Sequence, residues 1–362
     1  MRFDRYEVMS REDGALYRMG QGSRASTYKA LDLDLQVPVV LKVIRPEALE
    51  DETARKKFLR EARAAALVRH QNVATIYRLS EEDGNCFYAR EFVTGETLES
   101  IVQRDGPFET AKALDVALQV ARALVALKKL NLVHREIKPS NIMLEADGNA
   151  KIIDFGLAKS AAANADGLGS VTLAGFVGSP DYSSPEQLNE QELDSTSDIY
   201  SLGVTLWFLL AGRPPFRGAM AQVMAKHLQE TPPFEELAGF HPAIVTLLAH
   251  MLEKDPLRRP ATPAHLVAEM ERCIAQVEGG KNGSGGERSV AAPIIFPSQP
   301  LPELPRVSAT REPVTEPPRR QYLFEILIGT IIALVIYFIL SQPIESTPTP
   351  ASAAPATETN PK

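Results

Sequence analysis

His134-Arg135-Glu136-Ile137-Lys138-Pro139-Ser140-Asn141, followed by Asp154-Phe155-Gly156, is the stretch on which the reading of this chain turns. An acid, a lysine and an amide share one short loop, and a second acid opens the next. Apolar runs at 131–133, 142–144 and 151–153 alternate with these polar groups. Short strands are expected there, holding Glu136, Asn141 and Asp154 over one cleft. A charged loop alone is usually a solvated turn, and Asp-Phe-Gly alone carries little weight. Both motifs occur here in order, among compatible segments, and together they carry weight that neither has alone.

The chain has 362 residues, a net charge of −7 and 44% hydrophobic residues, enough for one large or two ordinary domains with tails. No basic block suggests a phosphate-backbone groove, so nucleic acid is not an expected partner. Cys86 and Cys273 lie far apart and form no metal-ligand spacing, which fits ordinary thiols in a reducing compartment. Residues 1–14 are too charged to be a signal peptide.

Upstream, residues 15–45 read as three strands, at 15–19, 26–31 and 37–44, with Gly20-Gln21-Gly22-Ser23-Arg24-Ala25 between the first two. Glycine in such a hairpin lets backbone N–H groups approach phosphate oxygens with no Cβ in the way. A helix is expected over 50–69, with Phe58, Glu61 and Ala65 on one face. A carboxylate on that apolar face needs a partner. Strands follow at 73–79 and 86–92, and from 97 onward the pattern is helical. Residues 111–130 are apolar nearly all round, as in a helix buried in a large lobe. Residues 157–183 are rich in Gly, Ala and Ser, and 198–210 form a long apolar helix.

Together these pieces resemble the eukaryotic-type protein kinase family, in its bacterial serine/threonine branch, over residues 15–277. The loop at 134–141 resembles the family's H-R-D-x-K-P-x-N, and Asp154-Phe155-Gly156 its metal-binding loop. The resemblance implies an α+β bilobal fold: a small antiparallel β-sheet lobe with one helix, and a large, mainly helical lobe. It implies ATP and Mg²⁺ as cofactors and a protein with Ser/Thr hydroxyls as substrate. Glu136 would act as the base and Lys138 would steady the moving phosphoryl group, while Asn141 and Asp154 would hold the metal. Gly20, Gly22, Thr27, Val40, Lys42, Glu61, Glu91, Val93 and Met143 would surround the nucleotide. Among them Lys42 would pair with Glu61, and the backbone of Glu91 and Val93 would bind adenine. Asp198 would bond the catalytic-loop backbone, and Arg259 would pair with Glu186. A phosphate on Thr172 or Ser170 would order residues 157–183 through Arg135.

Several positions depart from the family. Glu136 stands where the catalytic aspartate is expected, and Ala25 where the third glycine is. Val40 replaces an alanine, Thr27 a valine, and Arg90 an apolar residue at the back of the adenine pocket. A buried arginine there needs a carboxylate or must swing to water. Two readings therefore stand: a serine/threonine kinase slowed by Glu136, or a membrane-tethered pseudokinase acting as a nucleotide-binding scaffold.

Residues 278–321 read as a disordered, Gly/Pro-rich juxtamembrane linker. Residues 322–340, from Tyr322 to Leu340, are apolar apart from Glu325. As a helix they would span about 28 Å, close to the roughly 30 Å hydrocarbon core. A transmembrane helix is expected there. Arg319 and Arg320 precede it, so the positive-inside rule puts the catalytic region in the cytoplasm. Residues 341–362 are then a short disordered tail outside.

Overall fold

In this computed structural model the described residues are 1–22, 25–49, 52–82, 85–155 and 180–282. The chain divides into two units, Met1–Arg288 and Ser289–Lys362, and every described residue belongs to the first. The membrane helix expected at 322–340 lies outside the described residues. Among those that are described, no helix is long and apolar enough to cross a membrane. Most of 157–183 also lies outside, with Gly156, Ser170, Thr172, Gly178 and Ser179.

The alternating apolar residues of 25–44 form two long strands, β4 (Ala25–Asp32) and β5 (Val37–Ile44), after β1 (Arg2–Phe3), β2 (Tyr6–Val8) and β3 (Arg18–Gln21). With β6 (Ile76–Glu82) and β7 (Asn85–Glu91) they make one antiparallel sheet in the order β1-β2-β4-β5-β7-β6, with β3 on β4. β7 lies between two neighbours, and its five central residues are buried. Its outer face, Phe87 and Ala89, meets Tyr6, Val8, Tyr28, Ala30, Val39 and Leu41 in a small core of its own. That core recruits β1 and β2, so the sheet begins ahead of residue 15, the first position where a strand was expected.

Helix α1 (Glu52–Ala65) packs on the other face, and Phe58, Ala62 and Ala65 are buried. Fully burying a side chain such as Phe58 contributes about 1.5–3 kcal/mol. Below the sheet come β8 (Glu96–Thr97), α2 (Leu98–Asp105) and α3 (Thr110–Lys129). Then β9 (Ile142–Leu144) and β10 (Ala150–Ile152) join β8 in a three-stranded sheet, β10-β9-β8. Residues 131–133, expected as a strand, are not one: Asn131 takes φ +53° and turns the chain out of α3.

The large lobe is completed by α4 (Pro185–Leu188), α5 (Ser195–Ala211), α6 (Met220–Gln229), α7 (Pro242–Met251) and α8 (Pro263–Asn282). α5 is buried from Ser195 to Leu210. Asp194 caps its start by accepting from Thr196 N, and Gly212 ends it at φ +73°. α3, α7 and α8 pack around it, with Tyr200 and Trp207 fully buried. α8 runs on to Asn282, so the first residues of the expected linker are helical. Among its described side chains the last buried one is Val277, and beyond it the helix propagates, tolerating glycines that cost roughly 1 kcal/mol each.

Candidate active site

Two strands set the roof of the cleft. In the β5–β7 ladder Val40 stands opposite Arg90 and Lys42 opposite Tyr88, while Thr27 of β4 stands opposite Lys42. Residues directly opposite share a face, so Thr27, Val40, Lys42, Tyr88 and Arg90 all point away from the outer core. Gly20 and Gly22 lie at the exposed β3–β4 turn, closed by Gly22 N donating to Ala25 O at 2.9 Å.

The floor comes from β9. Ile142 and Leu144 enter the large-lobe core, which leaves Met143 half-buried on the opposite face. Residues 91–93, at the end of β7, are the hinge between the lobes, and Gly95 packs the chain just beyond it against the floor, since a Cβ there would lie 2.3 Å from Leu144 O. The hinge is braced as well. Glu91 N donates to Thr75 O at 2.8 Å, and Thr75 N donates back to the Glu91 carboxylate at 3.1 Å. Lys151 pairs with that same carboxylate. Val93 is 3% exposed.

The loop between α3 and β9 is hung from α5. His134 N and Arg135 N donate to the two oxygens of Asp198, at 2.7 and 2.8 Å, as expected from the sequence. Arg135 takes φ +70°, a left-handed conformation costly for a side chain of its size and held by these bonds. Asn141 Nδ2 donates to Glu136 O at 3.0 Å, and Ile153 N donates to Asn141 O at 2.9 Å. The loop acid, the amide and the approach to Asp154 are thus tied through the backbone. Lys138 Nζ lies 3.6 Å from Glu136 Oε1. Below, Arg259 makes two bonds to Glu186 at 2.7 and 2.9 Å in a fully buried pair, also as expected.

Charge in the cleft is arranged differently from expectation. Lys42 Nζ donates to Asp154 Oδ1 and Oδ2 at 2.7 and 2.5 Å. Glu61 is engaged instead by Arg135, whose Nη1 lies 3.2 and 3.0 Å from its two oxygens. The expected Lys42–Glu61 pair is therefore not formed, because each charge has a nearer opposite one. Burial works against the charge on Lys42, but Asp154, then Tyr88, outweigh it and raise its pKa above the ordinary lysine range. Burial likewise opposes ionisation of Asp154, while Lys42 and Arg90 hold its pKa below the ordinary value. Both directions describe an ionised pair.

Two cleft residues went unread as site residues in the sequence. Tyr88 donates its hydroxyl to Asp154 Oδ1 at 2.8 Å, and Gly95 makes the close approach described above. The alternation of β7 with its neighbours would have placed Tyr88 beside Lys42. Arg90, 6% exposed, makes no ion pair within 4.0 Å among the described residues; its Nη1 donates to Glu91 O at 3.0 Å.

The donor set suits a hard divalent cation. Asp154 offers a carboxylate, and Asn141 donates through Nδ2, which leaves its amide oxygen as an acceptor. Mg²⁺ is commonly held by one or two protein oxygens, with waters and substrate phosphates completing the shell. Among the described residues no group of three or more His, Cys, Asp or Glu could hold a metal alone. The residues fit a cation that arrives with a phosphate ligand.

The family described as the protein kinase domain matches residues 15–270. The chain belongs to the protein kinase family. It is 35% identical to serine/threonine-protein kinase pkn3 of Myxococcus xanthus over 299 residues, 79% of this chain and 54% of that one. It is also 35% identical to serine/threonine-protein kinase PrkC of Bacillus subtilis, over 70% of this chain and 39% of the relative. The chain thus spans about half the length, or less, of these curated relatives. The fold is shared with the Mycobacterium tuberculosis PknI kinase domain, at TM-score 0.58 and 22% identity, covering 75% of this chain and 97% of that one. These matches establish the bilobal kinase fold and place the chain beside bacterial members of the family.

Proposed function

We propose that this chain is a membrane-anchored serine/threonine protein kinase that transfers the γ-phosphate of ATP to a protein hydroxyl, slowed by Glu136. The observation that carries the reading is the convergence of Lys42, Asp154, Asn141, Glu136 and Lys138 on one cleft in a chain of this family. Glu136 accepts the proton of the substrate hydroxyl, and Lys138 beside it offsets negative charge on the group in transit. Lys42 binds nucleotide phosphates once Asp154 turns from it. Asn141 and Asp154 hold Mg²⁺, which neutralises phosphate charge when bound. Met143 and Val40 enclose the base from below and above. Gly20, Gly22 and Thr27 cover the phosphates, Glu61 receives Lys42 in the working state, and Glu91 and Val93 offer backbone groups to the base.

Residues 322–340 anchor the chain in the membrane, with the kinase in the cytoplasm and residues 341–362 outside. Their apolar composition and the preceding Arg319 and Arg320 support this. Resistance of the full chain to alkaline carbonate extraction tests it; release into the supernatant removes the anchor.

A second reading, a nucleotide-binding pseudokinase scaffold, is favoured by the extra methylene of Glu136 and by Arg90 at the hinge. Phosphate transfer from labelled ATP to a generic basic protein, beside an Asp154→Asn control, separates the two. Transfer above the control supports the kinase. Nucleotide binding without transfer supports the scaffold, and neither binding nor transfer defeats both.

A further inference from the structure

The Arg90 side chain occupies the hinge carbonyl that an adenine amino group would use. Its Nη1 donates to Glu91 O at 3.0 Å, and the side chain is 6% exposed. Among the described residues it makes no ion pair within 4.0 Å, so its remaining N–H groups are not committed to a carboxylate. Glu91 cannot easily move aside. Its backbone N–H is bound to Thr75 O, and its carboxylate is held by Thr75 N and Lys151. The Val40–Arg90 cross-strand pair directs the guanidinium to the cleft face of the sheet, the same face as Lys42.

From this we infer that Arg90 reads the base of the nucleotide and selects a 6-oxopurine, guanine or hypoxanthine, over adenine. The inference rests on the proposed nucleotide site, with Glu91 and Val93 facing the base. An adenine placed there brings the two N–H bonds of its 6-amino group against a guanidinium that carries only donors. One of those hydrogens can still use the second lone pair of Glu91 O. The other meets an N–H of Arg90, and like polar groups held together in a dry pocket are costly. A 6-oxopurine presents the complementary set. Its N1–H serves the free lone pair of Glu91 O, while O6 and N7 accept from Arg90. Arginine reading the O6 and N7 of guanine as a bidentate pair is a general rule of base recognition, as is glutamine reading the N6 and N7 of adenine. A methionine or leucine at position 90 would carry no such preference.

Equilibrium binding of ATP, GTP and ITP with Mg²⁺ to the detergent-solubilised full chain tests this, measured by displacement of a fluorescent nucleotide. ITP separates the 6-oxo group from the 2-amino group of guanine. The wild type is expected to bind ITP and GTP at least as tightly as ATP. Arg90→Gln should shift the ATP-to-ITP affinity ratio toward ATP by about tenfold, and Arg90→Met should shift it in the same direction. A ratio that neither substitution moves overturns the inference while leaving the nucleotide site intact. No binding of any nucleotide at millimolar concentration, in wild type and both variants, overturns the site and the inference together. Thermal melts of both variants confirm that each is folded before its ratio is read.

Discussion

Glu61 pairs with Arg135, not with Lys42: Arg135 Nη1 sits 3.0 Å from Glu61 Oε2, while Lys42 lies against Asp154. All four side chains are mostly shielded from water, so the two pairs are coupled by more than surface charge. On the proposed reading, bound Mg²⁺ and nucleotide would give Asp154 and Lys42 new partners, and Glu61 would leave Arg135 for Lys42. A phosphate on Thr172 or Ser170, both outside the described residues, would draw Arg135 the same way.

Double-mutant cycles test that exchange. Without nucleotide, Glu61→Gln and Arg135→Gln should couple by about 1 kcal/mol or more in unfolding free energy, above the usual range for exposed pairs. Glu61→Gln and Lys42→Met should couple by less. With Mg²⁺ and nucleotide bound, the order should reverse. Equal coupling in both states contradicts the exchange.

Tyr88 supplies a second restraint on Asp154. Its hydroxyl is buried and donates to Oδ1, so Tyr88→Phe should cost roughly 1.5–3 kcal/mol of stability, as for a hydrogen bond to a charged group. Freed of that bond, Asp154 should reach the cation more readily, and half-saturating Mg²⁺ for nucleotide binding should fall. Mg²⁺ titrations of both proteins check this. A rise in the Mg²⁺ requirement would mean that Tyr88 positions Asp154 for the metal.

Acid should destabilise the fold through two buried histidines. Burial, then Lys254, depress the pKa of His227 to about 3, and burial depresses that of His134 to about 4. His227 Nε2 donates to Asp181 O at 3.0 Å, so in the neutral ring Nδ1 accepts from Tyr200 Oη at 2.9 Å. Each folded pKa lies below the unfolded value near 6.5. Below about pH 6.5 the unfolded chain therefore binds more protons, and stability falls as pH falls toward the folded values. Each histidine contributes a slope of about 1.4 kcal/mol per pH unit. Urea unfolding at pH 7, 6 and 5 should show this slope, and His227→Gln should remove about one histidine's share. An unchanged slope in the variant would mean that His227 titrates normally in the fold.

Much of this architecture was legible because local pattern and tertiary role agree. β5 and β9 fall where alternation put them. Asp198 and Arg259 found their expected partners because a buried charge must find one. What escaped reading was decided by distance in space. β1 and β2 are too short to show a period, and only the core around Phe87 recruits them. The choice of Lys42 between Glu61 and Asp154 depends on how the lobes close, which no spacing records. From the sequence, Arg90 reads as a buried charge that needs a carboxylate or must swing to water. A backbone carbonyl one residue away served instead, a partner that every sequence offers everywhere.

On the proposed reading, Glu136 serves as a base set too far forward by one methylene. A displacement of about 1 Å can cost on the order of a hundredfold, against roughly 10² to 10⁴ for the whole contribution of a positioned base. Lys138, Lys42 and the metal site are untouched by the change, so slow transfer should survive in the wild type. The direct measurement is steady-state turnover of the wild type and Glu136→Asp on a generic basic protein, with nucleotide affinity measured beside it. An increase in turnover of at least about tenfold at unchanged affinity is the expected result. Equal turnover in the two proteins, or none in either with nucleotide still bound, would contradict it.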